Sequence, residues 1–567
     1  MHQSHPGATS PPRPSLLKAQ VLIVTAGRTP ANHVRKHAGV GIVCAVAYFD
    51  PGNWSVDFQA GSNFGYRPML FVLLVASLGA MVLQTLACKL GCVTGLDLAS
   101  HCRLLLHDRP KHTRLIRHMV LYPLYVLAEI AIISTDLAEL LGSAIGLCLI
   151  FPKLPLWAGV LLTATDVLIF LLFADPSRGQ GRPVRVFEFV IIFLVLAVLA
   201  CFIVLLVKVN PHWPDVFLGY LPSKKLFQSE PDAVYSAVGI LGATVMPHAL
   251  FLGSSLAAQD RVSLAPPEAP SLPGPAAPHT LLSRFREVFA PLFRVTRAER
   301  VAAAKDYRTR YGERENNSLA FIRQHLAHGI VDVVTSLLGL AVPINSAILI
   351  LAATVFFEGA GEEAEGHASP AGLFDAHDLI QTHVGKAAAF VFALALVCAG
   401  QTSSITATLA GQIVSEGFIE WRVSPFLRRL ITRLMSLVPS VVVAVAIGRE
   451  GINTLLIASQ VALSVVLPFI ALPLIYLTSS EVVMRVRKPV RQLVEADGDG
   501  TSIHHAEEEV PHAGNTPLAE KVETSSVVIH ETIDFSNGRV LSSLAYAIWA
   551  VVMIANVYAI VMLGRKD

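Results

Sequence analysis

The chain alternates long apolar runs with polar joints. Apolar runs fall at about 38–60, 68–93, 116–146, 155–174, 186–208, 233–257, 318–357, 384–411, 427–448, 451–478 and 540–563. A helix needs about 20 mostly apolar residues to cross a bilayer. The pattern therefore predicts an all-α membrane protein with 11 transmembrane helices. The run at 318–357 exceeds one straight crossing and predicts a tilt or an extension past the hydrocarbon. The expected organisation is a cytosolic tail at 1–37, a ten-helix transport core at 38–480 with a cytosolic loop at 258–317, a cytosolic polar linker at 481–539, and an eleventh helix within 540–567.

Composition agrees. The chain is 53% hydrophobic and only 15% charged, whereas soluble domains carry about 25% charged residues. A net charge of +2 gives no bulk electrostatic sign of a nucleic-acid partner, and none is expected. Most of the 7 cysteines lie in apolar runs and read as small buried hydrophobes, with no disulfide framework. Residues 1–20 are polar and lack the apolar centre of a secretory signal, so the first span is expected to direct membrane insertion.

Charge placement orients the spans. With the N-terminus inside, the inner joints carry Arg103, Arg109, Lys111, Arg114 and Arg117, then Arg178, Arg182 and Arg185. The Arg-rich 259–317 segment follows, then Arg422, Arg428, Arg429 and Arg433, then Arg485, Arg487, Lys488 and Arg491. The outer joint at 358–383 is acidic. This matches the positive-inside rule and places the C-terminus outside the cytosol. Residues 1–37, 259–317 and 490–538 read as mobile polar segments. The last holds His504, His505 and His512, either a solvated linker or a metal-sensing loop.

Two spans are interrupted. Asp50-Pro51-Gly52-Asn53 sits near the middle of the first, and Val245-Met246-Pro247-His248 in the sixth. Proline lacks an N–H and clashes with the preceding turn, and unwound backbone at membrane depth persists only inside protein or along a cavity. A single such site reads equally well as a packed kink. Two, five spans apart and each beside a ligand-type side chain, point to an inverted-repeat transporter with a cation site at the midplane.

The breaks offer the Asp50 carboxylate, the Asn53 amide oxygen, the Met246 thioether and the His248 imidazole. Oxygen alone suits Mg²⁺ or Ca²⁺. A thioether favours softer first-row metals. In the third span, Glu129, Asp136 and Glu139 lie on one helical stripe. Such carboxylates either relay protons or pair with buried Arg or Lys. Asp166, Glu188 and Asp332 are further acidic groups in or near spans.

These motifs resemble the Nramp family of proton-coupled metal transporters. The resemblance rests on Asp50-Pro51-Gly52-Asn53 and on Ala243-Thr244-Val245-Met246-Pro247-His248. Glu129 with Asp136-Leu137-Ala138-Glu139, Pro343-Ile344-Asn345-Ser346-Ala347, Gly400-Gln401-Thr402-Ser403-Ser404, Ala410-Gly411-Gln412-Ile413 with Glu416-Gly417-Phe418, and Ser459-Gln460 support it. It covers about 38–480 and implies a LeuT-like 5+5 inverted repeat with discontinuous helices 1 and 6. It further implies metal binding by Asp50, Asn53 and Met246, with the carbonyls of Ala47 and Ala243 and an outward-facing contribution from Gln460. The implied proton route uses Asp50, His248, Glu129, Asp136 and Glu139. One departure stands out. Where many members continue Asn-Leu-Tyr-Leu-His after the sixth-helix motif, this chain has Ala249, Leu250, Phe251, Leu252 and Gly253, as fungal members do. The 259–317 insertion also departs from compact bacterial forms.

The expected activity is symport of Mn²⁺ or Fe²⁺, with Co²⁺, Zn²⁺ and Cd²⁺ as further substrates, together with protons toward the cytosol by alternating access. The metal is cargo. No cofactor and no covalent chemistry are expected, so the chain is not expected to be an enzyme. The expected location is a multi-pass protein of the plasma membrane or an endosomal or vacuolar membrane. Two other classes share these features: a broken-helix amino-acid or amine symporter, and a non-transporting metal sensor.

Overall fold

The computed structural model describes residues 39–173, 185–227, 233–262, 315–358, 372–420, 425–494 and 525–563. It is mostly helical, and each expected span falls on helix. Eight helices are long and apolar enough to cross a membrane by length and composition, among them Met69–Thr94, Leu319–Glu358 and Lys386–Ile419. Side chains such as Phe189, Phe193, Val445 and Ile554 stay exposed on the fifth, ninth and eleventh spans. In a bilayer that apolar girdle faces acyl chains.

The first span is two helices. Val40–Ala45 and a short 3₁₀ turn, Val46–Tyr48, lead into Phe49 and Asp50, and a new helix runs Pro51–Phe64. Asp50 is extended (φ −68°, ψ 163°), as the residue before a proline tends to be. The break frees backbone carbonyls that need partners at this depth. Side chains supply them: Asn53 Nδ2 donates to Tyr48 O at 2.9 Å, Asn345 Nδ2 donates to the same oxygen, and Trp54 Nε1 donates to Phe49 O at 3.0 Å. The sixth span repeats this plan, with Ala233–Thr244, an extended Met246 and then Pro247–Ala257. Proline opens both second halves, where its missing N–H costs no hydrogen bond.

The third span packs on the eighth and reaches the first-span break at Gly142, where a Cβ would overlap the Pro51 ring. The second span approaches the sixth as closely at Gly91, whose Cβ would collide with Ser254 backbone. The overlong seventh span is continuous over Leu319–Glu358, with π turns at Leu337–Ala341 and Ala353–Glu358. The first precedes Pro343, which cannot donate to the helix ladder, and a wider turn absorbs that loss. All seven cysteines are free thiols, and Cys44, Cys88, Cys92 and Cys102 are buried.

Three features depart from the sequence reading. First, Arg428, Arg429 and Arg433 are not joint charges. They lie in the helix Pro425–Ala446 and are 5%, 3% and 1% exposed. Runs that mix arginine with apolar residues read as a helix end, but here third-span carboxylates receive Arg428 and Arg433, and the Gln412 amide oxygen receives Arg429. Second, the polar linker after the tenth span carries a two-stranded antiparallel sheet. Strands β1 (Arg485–Val494) and β2 (Ser525–Asp534) pair with Arg485 opposite Asp534. Third, short helices occupy joints at Leu98–Leu106, Trp213–Gly219 and Leu373–His383. His504, His505 and His512 lie outside the described residues, as do residues 1–37, Arg178, Arg182, Arg422 and most of the 259–317 segment.

Candidate metal site and the third-span carboxylates

Asp50 caps the second half of the first span. Its Oδ1 accepts from Asn53 N at 2.8 Å, while Oδ2 is buried without a donor. Asn53 spends its amide nitrogen on Tyr48 O and leaves Oδ1 without a donor. Asn345, on the seventh span, does the same from the other side of that carbonyl and also leaves its Oδ1 without a donor. Gln460, on the tenth span, lies against Gly52, where any side chain would overlap its amide, and its Oε1 lacks a donor too. Four residues on three spans thus bring oxygen acceptors to the first-span break. Buried acceptors are normally satisfied, and leaving one unmade costs about 1–3 kcal/mol.

Met246 holds the equivalent position in the sixth span and is fully buried. It makes no side-chain cap bond. Residues chosen for capping are Ser, Thr, Asp or Asn, and an apolar residue there forgoes about 1 kcal/mol. The thioether therefore serves something other than the helix end. The first half of the sixth span packs on the second half of the first. Neither Asp50 nor Met246 is exposed to lipid, both being 0% exposed. Ala47 and Ala243 are buried three residues before Asp50 and Met246, in the last turn of each first half. Carbonyls at such ends lack helical partners and carry the negative end of the helix dipole.

His248 is buried, and its Nδ1 lies 3.3 Å from Thr135 Oγ1, which ties the sixth span to the third. Its Nε2 has no partner. The three carboxylates of the third span divide. Glu129 pairs with Arg428 and Asp136 pairs with Arg433, the latter pair 1% exposed on both sides. Pairing with buried arginine, one of the two sequence-level alternatives, is thus realised for these two. Glu139 is buried and, among the described residues, neither of its oxygens is hydrogen-bonded. Arg429 Nη2 donates to Gln412 Oε1 at 2.8 Å, and Gln412 Nε2 donates to Glu416 Oε1 at 2.9 Å.

The other acidic groups have fixed partners. Asp166 accepts from Gln401 Nε2 at 2.9 Å, Glu188 pairs with Arg261 at 2.7 Å, and Asp332 Oδ2 accepts from Gly41 N at 2.7 Å. At Gly253, the position of the absent histidine is filled: a Cβ there would overlap Gln84 Nε2, and Tyr48 Oη donates to Gln84 Oε1 at 3.0 Å. Sequence reasoning did not single out Asn345 as a site residue, nor the Arg428 and Arg433 pairings. Asn345 carried a signal, a buried-type amide two residues after Pro343 in an apolar run. The arginine pairings carried none, because they join residues 299 and 297 positions apart.

The family model for natural resistance-associated macrophage protein-like (Nramp) proteins matches residues 41–493. The iron transporter SMF3 of Saccharomyces cerevisiae is 37% identical over 527 residues, covering 93% of this chain and 95% of that protein. The manganese transporter pdt1 of Schizosaccharomyces pombe is 37% identical over 530 residues, covering 93% and 85%. Among solved structures, a mutant of the Eremococcus coleocola manganese transporter is similar at a TM-score of 0.63 and 27% identity, covering 92% of this chain and 85% of that one. With the family model spanning most of its length and the broken-helix motifs in place at both interrupted spans, this chain belongs to the Nramp family.

Proposed function

We propose that this protein carries divalent transition metals, Mn²⁺ or Fe²⁺ foremost, across a membrane toward the cytosol, coupled to protons. One observation supports this above the others. Asp50 Oδ2, Asn53 Oδ1, Asn345 Oδ1 and Gln460 Oε1 are buried acceptors with no donor among the described residues, gathered from three spans at one helix break. A partly dehydrated cation satisfies such a set, and Met246 adds the soft ligand that favours first-row metals over Ca²⁺ and Mg²⁺. Relatives named as iron and manganese transporters support the same cargo.

The mechanism follows from these residues. Metal sheds water at Asp50, Asn53 and Met246, with the carbonyls of Ala47 or Ala243 and the Gln460 amide completing the shell as the site opens to one side or the other. Protons move through Asp50, His248 and Glu139 toward Asp136 and Glu129, whose arginine partners Arg433 and Arg428 hold the charge balance. Spans 1–5 and 6–10 act as two halves of opposite orientation, and rocking of the broken spans exposes the site alternately. The N-terminus is cytosolic and the C-terminus extracytosolic, in a plasma, endosomal or vacuolar membrane.

An amino-acid symporter fits less well. A substrate carboxylate needs donors, and the break presents acceptors and a carboxylate. A non-transporting sensor would bind metal without moving it. Reconstituted protein in proteoliposomes is expected to take up Mn²⁺, faster with an inward proton gradient, and Asp50→Ala is expected to lower the rate by about 100-fold or more. Wild-type protein that binds Mn²⁺ without uptake would establish the sensor instead.

A further inference from the structure

We propose that Asp57 forms an outer staging site for the divalent cation, which the metal occupies before reaching Asp50. The inference rests on the transport reading above.

Asp57 lies in the second half of the first span, seven residues after Asp50 and four after Asn53. Those steps place all three on one face of the helix. At 1.5 Å per residue, Asp57 stands about 10 Å along the axis from Asp50. The helix runs on from Asp50 to Phe64, away from the break. Under the orientation proposed above, that direction leads outward.

Asp57 is only 3% exposed. Glu129, Asp136, Glu188, Asp166 and Asp332 each have a basic or hydrogen-bonding partner. Among the described residues no hydrogen bond or ion pair reaches Asp57. The other charged residue of this helix is its N-cap, Asp50, of the same sign. A structural role would give this carboxylate a donor, as it does these five. A buried carboxylate is unfavourable without a counter-charge, and two in sequence along one helix face, joined by the unpartnered Asn53 Oδ1, form a ladder of acceptors suited to a mobile cation.

The neighbouring side chains keep this face distinct. Trp54 packs on Phe202 and Phe392, Phe58 on Phe392 and on Phe356 of the seventh span, and Val56 lies against Gly239. Gly61, on the same face as Asp57, meets the seventh-span backbone at Leu349. The helix face that carries Asp57 and Gly61 thus packs on the seventh span, which also supplies Asn345 to the break.

The test is Mn²⁺ uptake by the full chain in proteoliposomes. Asp57→Asn is expected to raise KM about tenfold while changing the maximal rate less than about twofold, and Asp57→Glu is expected to restore most of the loss. An unchanged KM in Asp57→Asn overturns the inference, as does a maximal rate that falls with KM fixed. Direct binding tests it without transport. In an Asp50→Asn background, Mn²⁺ titration by electron paramagnetic resonance is expected to retain one weak site, lost in Asp50→Asn/Asp57→Asn. Retention of that site in the double variant also overturns it. Absence of uptake by the wild type would instead sink the transport reading.

Discussion

At Met246 the fold uses a residue that is poor for its local task. A methionine at a helix N-cap leaves the first N–H groups without a side-chain acceptor, yet it sits fully buried beside the second proline break. In the proposed transport reading the thioether serves selectivity rather than stability. Met246→Ala is therefore expected to keep Mn²⁺ uptake within about tenfold of wild type while letting Ca²⁺ compete. Competition assays with Ca²⁺ in proteoliposomes read this directly, and intact Ca²⁺ exclusion would refute the role of the sulfur. The two oxygens of Asp50 differ: Oδ1 caps the helix, and Oδ2 has no hydrogen bond among the described residues, which in the proposed reading leaves it for the cargo. Replacing it therefore affects both the break and the cargo.

Between elements, the third and ninth spans are held by charge. Asp136 and Arg433 are buried together at 1% exposure. Removing one partner strands the other, which costs about 3–5 kcal/mol for a buried pair. Asp136→Leu and Arg433→Leu are each expected to lower the melting temperature in detergent more than the double variant does. A double variant as unstable as the sum of the singles would mean that the pair is not coupled. The same double variant separates structure from relay: if Asp136 carries protons, it stays folded yet its Mn²⁺ uptake loses dependence on the proton gradient. Glu129 and Arg428 repeat the arrangement about two turns away on the same third-span stripe.

Across the whole molecule, the β hairpin ties distant elements. Asn316 Nδ2 donates to Val483 O at 2.8 Å and to Arg485 O at 2.7 Å, and Arg487 pairs with Glu315 at 3.0 Å. Lys89 Nζ donates to Asn537 Oδ1 at 2.9 Å. The approaches to the seventh and eleventh spans, the exit of the tenth and a lysine of the second are thereby joined in one polar cluster. Asn316→Ala removes two of these bonds and is expected to destabilise the fold by about 1–3 kcal/mol, seen as a lower melting temperature. No change would mean that the hairpin docks without contributing stability.

Much of this was legible in the linear chain, because a bilayer imposes local rules. Every spanning segment must satisfy its own backbone and present apolar side chains, so the crossings appear as apolar runs. Charges and prolines at that depth stand out for the same reason, which is why Asp50, Asn53, Met246, His248 and the third-span carboxylates were visible before any coordinates. What the chain could not announce was pairing across space. Whether Glu129 and Asp136 stand alone or meet arginines, which side chain fills the gap beside Gly253, and that Asn345 shares a carbonyl with Asn53 all depend on contacts between residues far apart in sequence. The hairpin escaped as well, since strand pairing is a property of two segments together and neither alone reads differently from a polar linker.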